Sequence, residues 1–244
     1  MIDRPLLKQE AKERLQAAQV SPWLFTLLLM ALLLVLNFVS SYTSGSYVRT
    51  LQQYMPGVEL PAFLTHVPSL SPAAVTFIGI LTSLVGDVLR SGNALYHLGI
   101  HRGSEMPYST LLDIFSQAGR VIVLVILQTV FIALWSLLFV IPGIIAAYRY
   151  RFAMYNLLEN PNMTAMEAIA VSKDQTSGYK MELFILDLSF LGWAFLCVLT
   201  CGVLSIWVSP YMTQTGVCYF QAIKAAKGIG TFTEGEPPRT DPFA

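Results

Sequence analysis

The sequence predicts an all-α fold: a polytopic membrane helix bundle of about six transmembrane helices with N- and C-termini cytoplasmic. Three observations carry this. Of 244 residues, 55% are hydrophobic and only 12% charged, about half the ~25% charged share of soluble domains. Several long runs are nearly free of charge, and the basic residues cluster on one side of those runs. Mean hydropathy is +0.58. Formal net charge is zero, so no basic field argues for nucleic acid.

Residues 1–21 read as an amphipathic cytoplasmic helix. Leu6, Leu7, Ala11, Leu15 and Ala18 recur at helical steps, with Lys8, Lys12 and Arg14 on the remaining surface, a pattern suited to the inner membrane face. The membrane domain, 22–226, begins with a span over 22–39, which holds eight leucines. Each Leu, Ile, Phe or Val near a span's centre favours insertion by roughly 0.3–0.6 kcal/mol. A cleaved signal peptide is the rival, with Ser40, Ser41 and Ser44 as cleavage region. The run outlasts an h-region of ~7–15 residues, however, and acidic groups precede it, so an uncleaved anchor is expected.

Ser41 to Ser71 carries Pro56, Pro61 and Pro68, and Tyr42, Tyr47 and Tyr54 suit a loop at headgroup level. The second span covers 72–98 and the third 119–140, which leads into Ile141-Pro142-Gly143. Proline and glycine here either kink a helix or reverse the chain. Charge decides. With reversal, spans over 144–158, 183–199 and 203–222 follow, and 14 of the 15 Lys and Arg residues lie inside, leaving only Arg49 outside. A mere kink would place Arg149, Arg151, Lys173 and Lys180 outside, against the positive-inside bias.

The fourth span is the weak one. Arg149 and Arg151 each cost roughly 2.5–3.5 kcal/mol at a helix centre, so it is expected to enter as a hairpin with the third; a re-entrant segment is the alternative. Thr164-x-x-Glu167 has the form of a capping box, and Ala165, Ile169 and Ser172 share a face. This predicts a short helix along the membrane, a candidate partner-docking helix through Thr164, Glu167, Ser172 and Lys173. Residues 227–244, with Pro237, Pro238 and Pro242, read as a disordered cytoplasmic tail.

Ionisable groups in lipid are costly. Asp87, Arg90, Arg149, Arg151 and Asp187 form the candidate intramembrane polar cluster, with a small-residue stripe of Gly79, Ser83 and Gly86 beside it. Two roles compete: a cavity for an ion or anionic headgroup, and ion pairs that pin helices together. Tyr148, Arg151 and Tyr155 share one helix face, while Arg149 points away. No Gly-x-Ser-x-Gly, His-Glu-x-x-His or Walker loop is present, so neither enzymatic activity nor a cofactor is expected. Cys197, Cys201 and Cys218 lie in apolar runs, distant in sequence from His66, His97 and His101, and read as small buried residues and not a metal site. The expected partners are the lipid bilayer and a cytoplasmic protein or a second copy of this chain.

The second half carries an ordered series: Leu134-Trp135-Ser136-Leu137-Leu138, Ile141-Pro142-Gly143-Ile144-Ile145, Tyr148, Tyr150 and Glu159-Asn160-Pro161. It continues through Glu167-Ala168-Ile169, Ser172-Lys173, Gly178-Tyr179-Lys180, Leu183-Phe184 and Leu188-Ser189-Phe190-Leu191-Gly192-Trp193. Leu199-Thr200-Cys201-Gly202, Trp207-Val208-Ser209-Pro210-Tyr211 and Tyr219-Phe220 complete it. The series resembles the bacterial integral membrane family known as domain of unknown function 975, from about Gly86 to Phe220. Leu7-Lys8-x-x-Ala11-Lys12-x-x-Leu15 is similar too. Tyr179 stands where that family often has His, and Arg151 where a small residue is common. The resemblance implies a multi-pass bacterial cell-membrane protein and no particular activity. Within the series, Gly192 beside Trp193 reads as a close-packing site, Trp207 with Tyr211 as an outer-interface anchor, and Pro210 as a kink whose freed carbonyl meets Thr213 or a neighbour.

Overall fold

A computed structural model describes residues 2–54, 61, 70–104 and 106–229. The described residues are helical and contain no strand. The loop positions Pro56 and Pro68, and all but the first residues of the tail, lie outside them. In chain order the helices are α1 (Arg4–Ala17), α2 (Pro22–Ser44), α3 (Ser46–Tyr54), α4 (Pro72–Arg102) and α5 (Thr110–Asp113). There follow α6 (Ala118–Leu138), α7 (Val140–Arg149), α8 (Ala153–Glu159), α9 (Ala165–Thr176), α10 (Lys180–Leu188), α11 (Leu191–Leu199) and α12 (Ser205–Lys227). Among the described residues, four stretches are long and apolar enough to cross a membrane: Pro22–Ser44, Pro72–Arg102, Thr110–Leu138 and Lys180–Leu199.

Side-chain contacts set the direction of each rod. Phe25 stacks on Tyr96 at 3.8 Å and Leu33 meets Gly86, so α2 and α4 run antiparallel. Gly92 abuts Ile114 at the α4–α6 corner. Gly143 meets Ser136, Gln128 donates to the Tyr150 carbonyl at 2.8 Å and Arg120 reaches the Leu157 carbonyl at 3.2 Å. These rungs make α6 and α7–α8 an antiparallel hairpin. Phe190–Tyr211 and Glu182–Tyr219 do the same for α10–α11 and α12. His97–Gln214 and His101–Cys218 keep one constant offset, so α4 and α12 run parallel. Successive rods therefore alternate, with the beginning of α2 and the end of α12 at one end of the bundle, the proximal end.

The expected reversal is present but falls earlier. Phe139 alone is extended (φ −162, ψ 155) between α6 and α7. Pro142 occupies the first turn of the returning helix, where a missing N–H costs nothing, and Gly143 admits the close crossing against Ser136. The second reversal is a tight turn with positive φ at Cys201 and Gly202 (50 and 86). The fourth and fifth segments are each broken, at Tyr150–Phe152 and Ser189–Phe190, where single continuous helices were expected.

Other differences have local causes. Ser41–Tyr54 is helical instead of a loop: Thr43 and Ser44 bond back to Val39 and Ser41 carbonyls, Gly45 adopts the left-handed cap, and Tyr42 bridges the Phe38 and Tyr47 rings. The first helix does bury Leu7, Ala11 and Leu15, but Leu6 is 61% exposed. Lys8 and Lys12 face the bundle: Lys8 donates to Ser189 at 2.7 Å and sits over Phe190, and Lys12 lies over Tyr211. Tyr211 is thus a packing residue and not an interface anchor, whereas Trp207 is exposed. Gly192 has no atom within 4 Å of where a Cβ would stand, so no close packing occurs there. Thr213 bonds the Ser209 carbonyl, not the carbonyl of Ile206 that Pro210 frees.

The core sits at the proximal end, where Tyr96, Phe152, Leu157, Leu183, Tyr219, Phe220 and Ile223 are fully buried. Distally the apolar side chains are exposed, and Leu137 at the α6–α7 tip is 82% exposed. Such an apolar tip is at home only in an apolar surrounding. Gly143→Ala is expected to push α7 off Ser136, whose Cα lies 3.0 Å from the new Cβ. The cost should be about 1–3 kcal/mol, read as a lower melting temperature in detergent, and Ser136→Gly on the same chain should recover part of it.

Candidate functional site

Two of the expected charged residues meet across rods. Arg151 lies in the break at Tyr150–Phe152, between α7 and α8, and reaches across to α10. Its guanidinium grips Asp187 through both oxygens, at 2.5 and 2.9 Å, the bidentate geometry in which arginine pairs best. Tyr148 donates to the same carboxylate at 2.8 Å. The broken backbone is itself satisfied by α9: Ser172 accepts from the Phe152 N–H at 3.1 Å and donates to the Arg149 carbonyl at 2.8 Å.

Asp87 and Arg90 form a separate pair, 2.9 Å apart one turn along α4. Asp87 lines a shallow groove of about 260 Å³ between α4 and α6, with Ser83 and Thr129. Arg90 borders another, of about 230 Å³, between α2 and α4 with Asn37, Ser40 and Thr82. The small-residue stripe beside them is filled only in part. Leu33 lies 3.5 Å from a Cβ built on Gly86, while Gly79 faces open space. The five residues expected to cluster therefore divide into Arg151–Asp187 and Asp87–Arg90. Arg149 contributes its carbonyl and stands outside both pairs.

A stronger junction, not singled out in the sequence, lies at the proximal end. Glu159 ends α8 with its side chain only 4% exposed. It accepts from Arg102 of α4 at 2.9 Å and Lys224 of α12 at 2.6 Å, and from Gln221 at 2.6 Å. Burial pushes its carboxyl up, but the Lys224 bond and charge, the Gln221 bond and the Arg102 charge outweigh it, so it titrates below its ordinary value. Nearby, Arg120 donates to the carbonyls of Leu157, Asn160 and Met163 at 2.8–3.2 Å. That caps the end of α8, where carbonyls lack partners and positive charge is favoured. The signal available in the sequence was an acid at the end of an apolar segment; its partners come from helices far along the chain.

The capping box of α9 is formed: Thr164 and Glu167 exchange bonds at 2.8 and 3.3 Å. Ala165, Ile169 and Ser172 do share the buried face. Of the four residues expected to dock a partner, Ser172 is turned inward and fully used, and Lys173 is exposed beside Asp174. Asn156 and Gln175 exchange two hydrogen bonds, at 2.8 and 3.1 Å, that fasten α9 to α8.

Residues 137–227 match a family model described as "Protein of unknown function (DUF975)". This is the family that the ordered series resembles, and the matched stretch runs from the α6–α7 tip through α12. No curated protein and no solved structure matches the chain.

Because the carboxyl of Glu159 is held below its ordinary value of 4.5, its stabilisation is fully present above that value and is lost as pH falls through the lower native value. Melting temperature is expected to drop along this acid limb. Glu159→Gln should flatten the limb and lower stability at neutral pH by about 1–3 kcal/mol, since half-buried Lys224 loses its counter-charge.

Proposed function

We propose that this chain is a non-enzymatic membrane scaffold or accessory subunit, crossing the bacterial cell membrane six times with both ends in the cytoplasm. The observation that carries the reading is that four of the five charges expected to cluster inside the rods are neutralised in pairs: Arg151 by Asp187, Arg90 by Asp87. A transport site needs polar groups free to meet a solute, whereas Arg151 and Asp187 tie two rods together and Arg90 and Asp87 engage each other along α4. The alternation of rod directions supports six crossings, and Arg14, Arg102, Arg120, Lys224 and Lys227 at the proximal end support its cytoplasmic placement. The exposed side of α9, with Met166, Lys173 and Asp174, is the surface offered to a cytoplasmic protein. Transport of a small solute or lipid is the alternative, and the groove beside Arg90 is the feature that would serve it.

Asp187→Asn and Arg151→Gln are expected each to lower the amount of folded protein in membranes, and the double substitution to restore it. If the double is no better than the singles while a co-purifying lipid is lost, the pair is a ligand site. Purification in mild detergent with mass spectrometry of proteins and lipids reads both outcomes, and a stoichiometric protein lost on Lys173→Glu supports the scaffold. Membrane-impermeant amine labelling of Lys173 from the outside of intact cells would overturn the topology.

A further inference from the structure

Three metal-ligating side chains from three helices converge at the proximal end, away from the ion pairs described above. Glu10 of α1, His101 of α4 and Cys218 of α12 each bring one ligand atom within 4.8 Å of the others. We propose that they bind a zinc-class divalent cation that locks the first helix onto the bundle.

The donor set is a carboxylate oxygen, an imidazole nitrogen and a thiolate sulfur, the mixture that zinc accepts in tetrahedral sites. Cys218 Sγ and His101 Nδ1 are 3.7 Å apart. Zinc legs of about 2.3 Å to sulfur and about 2.05 Å to nitrogen at the tetrahedral angle require about 3.6 Å. The two side chains already stand at the separation an ion would impose.

The surroundings fit a ligand set held from outside. Arg14 contacts Glu10 through Oε1, at 2.9 Å from Nε and 2.8 Å from Nη2, which orients the carboxylate and leaves Oε2 for the ion. The same guanidinium donates to the His101 carbonyl, tying α1 to α4 as the hydrogen-bond partners of metal ligands do. One turn deeper on the same two helices, His97 and Gln214 pair at 2.8 Å, while the Nε2 atom of each is buried without a partner. Polar capacity beside the site is therefore not exhausted by the protein.

Binding releases the Cys218 thiol proton to solvent, and thiolate plus carboxylate then match the two charges of the ion, with Arg14 a further positive charge beside Glu10. With three protein ligands, a tetrahedral ion keeps its fourth position for water. Cys218 is buried, whereas Glu10 and His101 are half-buried, so the approach is from the proximal side.

The test uses the full chain in detergent, stripped with chelator and titrated with Co²⁺. One equivalent is expected to give the visible bands of tetrahedral cobalt and a thiolate-to-cobalt charge-transfer band, both displaced by Zn²⁺. Cys218→Ser should abolish the charge-transfer band and His101→Gln should weaken binding, while Cys201→Ser changes neither. On the unaltered chain, Zn²⁺ should slow alkylation of Cys218 and not of Cys201, read by peptide mass spectrometry. Absence of the band at stoichiometric cobalt, its survival in Cys218→Ser, or alkylation of Cys218 that is indifferent to zinc would each overturn the proposal.

Discussion

Glu159 is the point on which the proximal end turns. A carboxylate this far from solvent is costly unless every lone pair finds a donor. Here the donors are Arg102 at the end of α4 and Gln221 with Lys224 near the end of α12. Three rods that meet nowhere in the sequence are thereby brought to one height. Arg120 fixes the same height for α6 by capping α8. Once these ends are level, the aromatic layer above them follows, with Phe152, Tyr155 and Phe220 in mutual ring contact.

Away from this end the organisation changes in kind. The distal halves of α2, α6, α7 and α11 are lined by exposed leucine, isoleucine, valine and phenylalanine. Lipid tails are as apolar as those side chains, so no driving force closes the gaps between them. What holds the distal half is instead specific: the Gly143–Ser136 crossing and the tight turn at Cys201–Gly202. Close backbone approach and polar pairing thus replace hydrophobic burial as the source of order. The bidentate Arg151–Asp187 contact belongs to the same economy, since it repairs the break between α7 and α8 by tying it to α10.

The breaks themselves have a purpose in the packing. Interrupting the fourth helix at Tyr150–Phe152 frees backbone groups that would otherwise be left unpaired. Ser172 and Thr176 of α9 accept that burden by binding the Arg149 carbonyl and the Phe152 N–H. The short helix between the fourth and fifth segments is therefore part of the bundle's framework on one face and free on the other. This division explains why Ser172 and Lys173, adjacent in sequence, serve different ends.

Much of this was legible in the residues. The all-helical class, the apolar segments, the reversal near Ile141-Pro142-Gly143 and the Thr164–Glu167 box follow from composition, periodicity and local chemistry, which act within a few residues of the chain. Arg151 and Asp187 could be singled out because both sit in apolar segments, where a lone charge is costly, but that they pair with each other came from the tertiary structure. What only the tertiary structure decided are contacts between distant segments: Glu159 with Arg102 and Lys224, Lys8 with Phe190, and His101 beside Cys218. The separation of Asp87–Arg90 from the other pair, and the inward turn of Tyr211, belong here too. The reason is physical. Helical period determines which face a residue occupies, but the rotation and height of one rod against another come from packing summed over the whole bundle, and no short stretch of sequence contains that sum.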